Sequence, residues 1–309
     1  MTQTANTQVQ QGTLHPPRRQ GGRHSAWRPW LWLGLGILLM AIFQVYPMLN
    51  TIVLSFYNDD STSFVGLKNY GLVFTNHSLL LVLWNNVLWL VVATILTVGL
   101  GLLVAVLVDK VRVESLVKAA LFVPMAISFV GAGVIWRFVY LYAPANRTQA
   151  GLLNAFITSI GFQPQAWLID TRFNNFALMI VYVWIWTGFC MVVLSASLKG
   201  IPDEIIEAAK IDGASGFTIF WRITAPMIQP TIVVVTTTMI INILKIFDVV
   251  YVMTGGDYNT NVVALQYYQE LFTNYNYGVA SALAVILLIA IFPVMYLNVR
   301  RIRAEEAQR

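Results

Sequence analysis

Six long apolar runs decide most of what this chain can become. They cover residues 30–57, 79–108, 116–142, 176–198, 231–253 and 278–299. A hydrocarbon core of roughly 30 Å takes about 20 residues of α-helix. Every run reaches that length, and none alternates as a transmembrane strand of about 10 residues would. In hydrocarbon the backbone must satisfy its own hydrogen bonds, and a helix does so within one segment. The expected fold is all-α, a polytopic membrane protein with six transmembrane helices. Composition agrees: 58% of residues are hydrophobic and 11% charged, against about 25% charged in soluble domains.

Charge placement sets the expected orientation. With the N-terminus inside, fourteen of the nineteen basic residues fall on the inner side. They are Arg18, Arg19, Arg23, Arg28, Lys110, Arg112, Lys118, Lys199, Lys210, Arg222, Arg300, Arg301, Arg303 and Arg309. Only Lys68, Arg147 and Arg172 fall outside, while Arg137 and Lys245 lie within spans. Both termini are therefore expected in the cytoplasm. The net charge of +5 follows from this topology and gives no separate sign of nucleic acid. Residues 1–28 read as a disordered cytoplasmic tail, 29–299 as the membrane domain and 300–309 as a basic tail. A cleavable signal peptide is not expected, because the first apolar run far exceeds a signal core of about 7–15 residues. The single cysteine, Cys190, rules out an intrachain disulfide and reads as a small buried apolar side chain.

One segment between the fourth and fifth runs, residues 200–230, breaks the hydropathy pattern. Pro202 suits a first helical turn, and Asp203 and Glu204 favour the positive end of the helix dipole. Ile201, Ile205, Ala208 and Ala209 form a one-sided apolar stripe. Gly213 is a natural stop, and Ser215 can cap a second short helix carrying Phe217, Phe220, Trp221 and Thr224 up to Pro226. Two short helices meeting at a glycine make a compact knob on the expected inner face.

Glu207-Ala208-Ala209, Asp212-Gly213-Ala214, Phe220, Ile223, Pro226 and Pro230 together resemble the EAA loop of bacterial ATP-binding-cassette importer permeases, within the carbohydrate-uptake class. Similar pieces run through most of the chain. They include Phe64-Val65-Gly66-Leu67-Lys68-Asn69-Tyr70, Gly151 to Asn154, Trp167-Leu168, Phe247-Asp248, Thr254-Gly255-Gly256 and Tyr277 to Ala282. Ala225 stands where the family usually has leucine, which trims a contact and leaves the proline turn. The resemblance implies a type I importer permease fold in a bacterial inner membrane, transporting a sugar or related polyol. It also implies a second homologous permease in a heterodimer, two ATPase subunits that bind ATP and Mg, and an extracytoplasmic solute-binding protein. Residues 59–78 and 143–175 would be the platform for that binding protein. Glu207, Ala208, Ala209, Asp212, Gly213, Ala214, Phe220 and Pro226 would couple the chain to an ATPase, with Glu207 accepting hydrogen bonds from a basic partner or serving as an internal cap or ion pair. The sequence has no GxxxxGK[ST] phosphate loop, so no cofactor is assigned to this chain and it is not expected to be an enzyme.

Polar residues within the runs are the remaining candidates, since each is costly in hydrocarbon and tends to face a cavity or partner. Asn242, Lys245 and Asp248 are spaced i, i+3, i+6 along the fifth run. They read either as the border of a translocation path or, for Lys245 and Asp248, as an ion pair that locks the helix. An ion-coupled secondary transporter using Lys245 and Asp248 is the alternative function. Tyr182, Trp184 and Trp186 could offer an aromatic face to a sugar ring or simply pack. Asn85 and Asn86 are expected at headgroups or a partner loop, Arg137 to snorkel to the interface, and residues 143–175 to hold an interfacial helix with Trp167 in the aromatic belt. Gly278 and Ala282 permit a tight helix crossing. The three histidines, His15, His24 and His77, show no metal-ligand spacing.

Overall fold

The computed structural model describes residues 28–109, 111 and 113–306, so the expected tail before Arg28 lies outside it. Among the described residues all regular structure is helical, apart from one isolated bridge between Tyr57 and Phe64. The chain divides into two units, residues 1–49 and 50–309. The first holds α1 (Arg28–Met40), a π-helical turn (Ala41–Val45) and the start of α2 (Tyr46–Leu54). From Leu33 to Leu49 every side chain is exposed. A helix apolar on all faces and exposed on all faces is built for lipid or for another membrane helix.

The second unit continues with α3 (Lys68–Thr75), α4 (His77–Val108), α5 (Glu114–Phe122), α6 (Phe129–Val139), α7 (Leu152–Ser159), α8 (Asn174–Leu198) and α9 (Asp203–Ile211). Then come α10 (Gly216–Ile219), a π-turn (Phe220–Thr224), α11 (Ala225–Met227), α12 (Gln229–Leu244), α13 (Asp248–Met253), α14 (Val263–Phe272) and α15 (Tyr277–Glu306). Among the described residues four helical segments are long and apolar enough to cross a membrane: Leu33–Leu54, His77–Val108, Asn174–Leu198 and Tyr277–Tyr296. Six result when two bent pairs each count as one span.

The structure corrects the expectation of continuous helices at 116–142, which is bent, and at 231–253, which is interrupted. The first run bends by 101° between Ala126 and Phe129. Pro124 sits in a 3₁₀ turn there, and Ser128 restarts the helix by accepting a 3.1 Å bond from Gly131 N–H. The fifth helix starts earlier than expected, at Gln229, after a 71° bend from the Gly216–Met227 segment. It also stops earlier, at Leu244, and α13 resumes only at Asp248. Helix α14 was not legible as a separate element, because its apolar residues are interleaved with Gln266, Gln269 and Glu270.

Helix α8 is the hub, packing on α4, α5 and α12. Its Leu178, Met179, Ile185, Met191 and Leu194 are buried together with Trp89, Met239 and Ile243, and Cys190 is buried among them. In a bilayer such packing is held by dispersion and close fit, because lipid tails are as apolar as leucine. Gly188 makes the fit possible: a Cβ there would lie 2.0 Å from the Leu121 carbonyl oxygen of α5. Gly188→Val should therefore push α5 from α8 and destabilise the fold by about 1–3 kcal/mol. Thermal unfolding in detergent reads this as a lowered midpoint, and an unchanged midpoint would refute the close approach.

Candidate functional site

Three consecutive residues without helical structure, Lys245-Ile246-Phe247, separate α12 from α13. Irregular backbone at membrane depth is tolerated only where protein buries it or where it lines a cavity. Here both apply. The Asn86 side chain of α4, buried, donates to the Leu244 carbonyl at 3.4 Å and accepts from Val263 N–H at 2.7 Å. One amide thus serves the freed end of α12 and the start of α14. Asn86 does not face headgroups, and neither does Asn85, which donates to the Asn259 and Asn261 carbonyls at 2.8 Å each. Asn174 adds a 2.7 Å bond to the Tyr258 carbonyl. These amides hold the 254–262 connection, where Tyr258 and Asn259 take φ of 55° and 65°. That left-handed conformation is strained for tyrosine.

Beside the break lies a cavity of about 230 Å³ lined by Phe129, Tyr182, Trp186, Asn242, Lys245, Ile246, Phe247 and Asp248. It gathers Asn242, Lys245, Asp248 and Tyr182 in one place. It leaves out Trp184, whose ring packs edge-on against Trp136 at 5.7 Å, and takes Trp186 instead. Trp186 is the midpoint of α8, so the cavity lies about 18 Å from either end of that helix. Lys245 and Asp248 form no ion pair: the helix between them is interrupted, so the one-turn spacing that would have joined them does not exist. Asn242 donates to the Thr238 carbonyl at 2.9 Å, which leaves its side-chain oxygen unengaged. The Tyr182 hydroxyl and the Trp186 indole N–H are buried with no protein hydrogen-bond partner among the described residues. Orphaned donors of this kind are rare in folded proteins, and two of them on one cavity mark a place where a polar guest would relieve a deficit.

The 200–230 knob sits past the C-terminal end of α8. Pro202 takes the N-cap of α9, one position earlier than expected, with Asp203 and Glu204 in the first turn and Lys210 in the last. Gly213, at φ 79°, reverses the chain while Gly213 N–H bonds the Lys210 carbonyl and Ala214 N–H the Ala209 carbonyl, each at 3.0 Å. This is the paired terminus that closes a helix on glycine. Ser215 caps α10 through a 3.3 Å bond from Thr218 N–H. The buried stripe is rotated from the expected one: Ala209 is buried and Ile206 half-buried, whereas Ile205 and Ala208 are exposed. Glu207, Asp212, Gly213 and Pro226 are exposed, and Ala214 and Phe220 are half-buried. Among the described residues Glu207 has no ion-pair partner. Phe217 and Trp221, 77% and 58% exposed, pack edge-to-face at 6.2 Å.

A charge cluster braces the knob. Glu114, at the start of α5, pairs with Lys199 at 2.6 Å and with Lys118, which also reaches Ser195 on α8. The carboxylate holds the Lys199 ammonium above the ordinary lysine range. This cluster was not legible in the sequence: Glu114 and Lys118 are one helical turn apart, but Lys199 lies 85 positions after Glu114 and Ser195 77 after Lys118, so the cluster depends on the α5–α8 approach.

The long apolar helices mark a membrane protein, and residues 97–303 match the family described as binding-protein-dependent transport system inner membrane component. The chain belongs to that family and is a permease subunit. Among its relatives is the osmoprotective compounds uptake permease protein GgtC of Synechocystis sp., 54% identical over 273 residues, covering 88% of this chain and 98% of the relative. The alpha-glucoside transport system permease protein AglF of Rhizobium meliloti is 43% identical over 279 residues, covering 90% and 83%. The fold also resembles a crystal structure of a bacterial ABC transporter for alginate import, with a TM-score of 0.75 over 89% of this chain and 96% of that one at 21% identity. These relatives give no support to the ion-coupled alternative.

Asn86→Leu conserves volume but removes the amide that serves both Leu244 and Val263. The fold should lose about 2–4 kcal/mol, since two buried backbone groups are left unpaired. Hydrogen exchange should then speed up at residues 244–263 first. Unchanged protection there would show that the break does not depend on Asn86.

Proposed function

We propose that this subunit carries a small, hydroxyl-rich, uncharged solute through the cavity beside the α12–α13 break. The observation that carries this reading is the set of polar groups left unengaged there: the Tyr182 hydroxyl, the Trp186 indole N–H and the Asn242 side-chain oxygen. Two donors and an acceptor set among aromatic rings suit a sugar or polyol, whose hydroxyls both give and take hydrogen bonds and whose C–H faces lie on rings. The names of the relatives, which include uptake of osmoprotective compounds and of alpha-glucosides, support the same class. Lys245 and Asp248 offer further hydrogen bonds at the rim.

In this reading the complex contains a second homologous permease, two ATPase subunits that bind ATP and Mg, and an extracytoplasmic solute-binding protein. Both termini and the 200–230 knob face the cytoplasm, as the basic residues require, and 29–299 is the permease domain. The knob is the ATPase contact. Its exposed Glu207 lacks an ion-pair partner among the described residues, its glycine turn keeps α9 at a fixed angle, and Phe217 and Trp221 present apolar surface that a partner would cover. The Glu114–Lys199 bridge transmits a push on α9 into α5 and α8, so closing of the ATPases rocks the bundle between two states.

Two outcomes test this. In proteoliposomes holding the full complex, a sugar-loaded binding protein should stimulate ATP hydrolysis, and Glu207→Lys or Gly213→Pro should lower the stimulated rate at least about tenfold, or about 1.4 kcal/mol. Wild-type stimulation in both variants would remove the coupling assignment. Asn242→Ala should instead leave basal hydrolysis intact and weaken solute uptake by about 1–2 kcal/mol, the worth of one or two hydrogen bonds. Unchanged uptake would remove Asn242 from the path.

A further inference from the structure

A second cavity, of about 380 Å³, lies near the N-terminal end of α8, between α6, the segments around Leu141 and Trp167, and the end of α13. Its size falls in the range of small-molecule sites, roughly 300–1,000 Å³. Tyr140, Tyr142, Trp167 and Tyr258 line it with Arg137 and Asp257. The Arg137 guanidinium gives one 3.3 Å bond to the Val252 carbonyl, so it does not snorkel away but lies over α13. Neither Arg137 nor Asp257 has an ion-pair partner among the described residues. The cavity therefore offers a fork of spare donors and a carboxylate acceptor among aromatic rings.

Both walls are fixed by buried asparagines. On one side Asn154, fully buried, donates to the Leu141 and Gln165 carbonyls at 3.0 Å each. Its oxygen accepts from Gln165 N–H at 2.9 Å and from the Trp167 indole at 3.1 Å. The Tyr140 hydroxyl donates to the Ala177 carbonyl at 3.1 Å, and its ring lies 6.2 Å from that of Trp167. On the other side Asn174 holds the Tyr258 carbonyl at 2.7 Å and Asn85 the Asn259 carbonyl at 2.8 Å, which keeps Tyr258 in its left-handed conformation. Two separate amide clamps hold opposite walls of one cavity. Such preorganisation lowers the ordering cost of binding a guest, and backbone strain of this sort persists where structure over-determines it.

We propose that this cavity is a receiving site for the solute, occupied before the cavity at the α12–α13 break. The ligand class is a neutral saccharide or polyol: aromatic faces take the C–H side of a ring, Asp257 accepts from hydroxyls and Arg137 donates to them. This rests on the function proposed above and on its orientation, which puts the N-terminal end of α8 on the extracytoplasmic side. The two cavities are then stations about 18 Å apart along α8, taken from its residue spacing, and the solute passes from the first to the second.

Saturation-transfer NMR on the full chain in lipid nanodiscs, with sucrose as the probe, tests it. The variants are the double substitution Arg137→Gln with Asp257→Asn, Asn242→Ala, and all three together. Tyr258→Asn is added because asparagine tolerates the positive φ and removes only the ring. Wild-type protein should transfer saturation to sucrose. The double variant and Tyr258→Asn should each lose more than half of the signal, Asn242→Ala should keep most of it, and the triple variant should lose it. Thermal midpoints equal to wild type would show that the losses come from the site and not from misfolding. The proposal is overturned if wild type gives no transfer, if the double variant matches wild type, or if Asn242→Ala alone abolishes the signal. It is also overturned if glycine betaine, a zwitterion, gives the same Arg137- and Asp257-dependent transfer. The function proposed above is judged separately, by solute-stimulated ATP hydrolysis, and survives each of these failures.

Discussion

The amide of Asn86 is the contact on which the rest of this structure leans. A membrane helix that stops in hydrocarbon leaves carbonyls and N–H groups exposed, each costing several kcal/mol if unpaired. Asn86 meets the Leu244 carbonyl and the Val263 N–H together, and so makes it affordable for α12 to end and α14 to begin inside the bundle. Everything functional at mid-depth follows from that interruption. Without it Lys245, Ile246 and Phe247 would continue a helix, and no cavity would open beside Tyr182 and Trp186.

The same device recurs along the chain. Asn85 and Asn174 pin the 254–262 connection, Asn154 pins the Trp167 segment, and Asn69 reaches the Ser55 and Tyr57 carbonyls at 2.9 and 2.7 Å. Asparagine suits this use because one planar amide carries both donors and an acceptor without charge. Around these clamps the helices pack closely through small residues, as at Gly188, so that α8 stays fixed while shorter elements bend around it. A rigid central helix flanked by broken ones lets a bundle move between two states without unfolding.

Sequence patterning was informative wherever physics acts over short range. Four of the six apolar runs fall on continuous helices long enough to cross a membrane, because the length needed to cross hydrocarbon is set by helix rise alone. Gly213 and Ser215 located the joint between the knob's two helices, because chain reversal and capping are decided by single residues. The bend at Ile127 and the break at Lys245 were not legible. Pro124 sits within an otherwise apolar run, and the stop after Leu244 is licensed by Asn86, which lies 158 residues earlier. For the same reason Asn242, Lys245 and Asp248, grouped in the sequence as polar candidates, do line one cavity, yet the ion pair inferred from helical spacing does not form. The clamping role of Asn154 and the Glu114–Lys199 bridge went unassigned, since both exist only once distant segments meet.

The account turns on the α12–α13 break being a water-accessible, solute-occupied cavity in a transport subunit. Cysteine accessibility tests that most directly. In a Cys190→Ser background, single cysteines at Asn242, Asp248 and the exposed, apolar Ile95 of α4 would be reacted with a membrane-impermeant maleimide in the assembled complex. The account predicts labelling at Asn242→Cys and Asp248→Cys, protection of both by transported sugar, and no labelling at Ile95→Cys. Silence at both cavity positions, or labelling that sugar leaves unchanged, would contradict it.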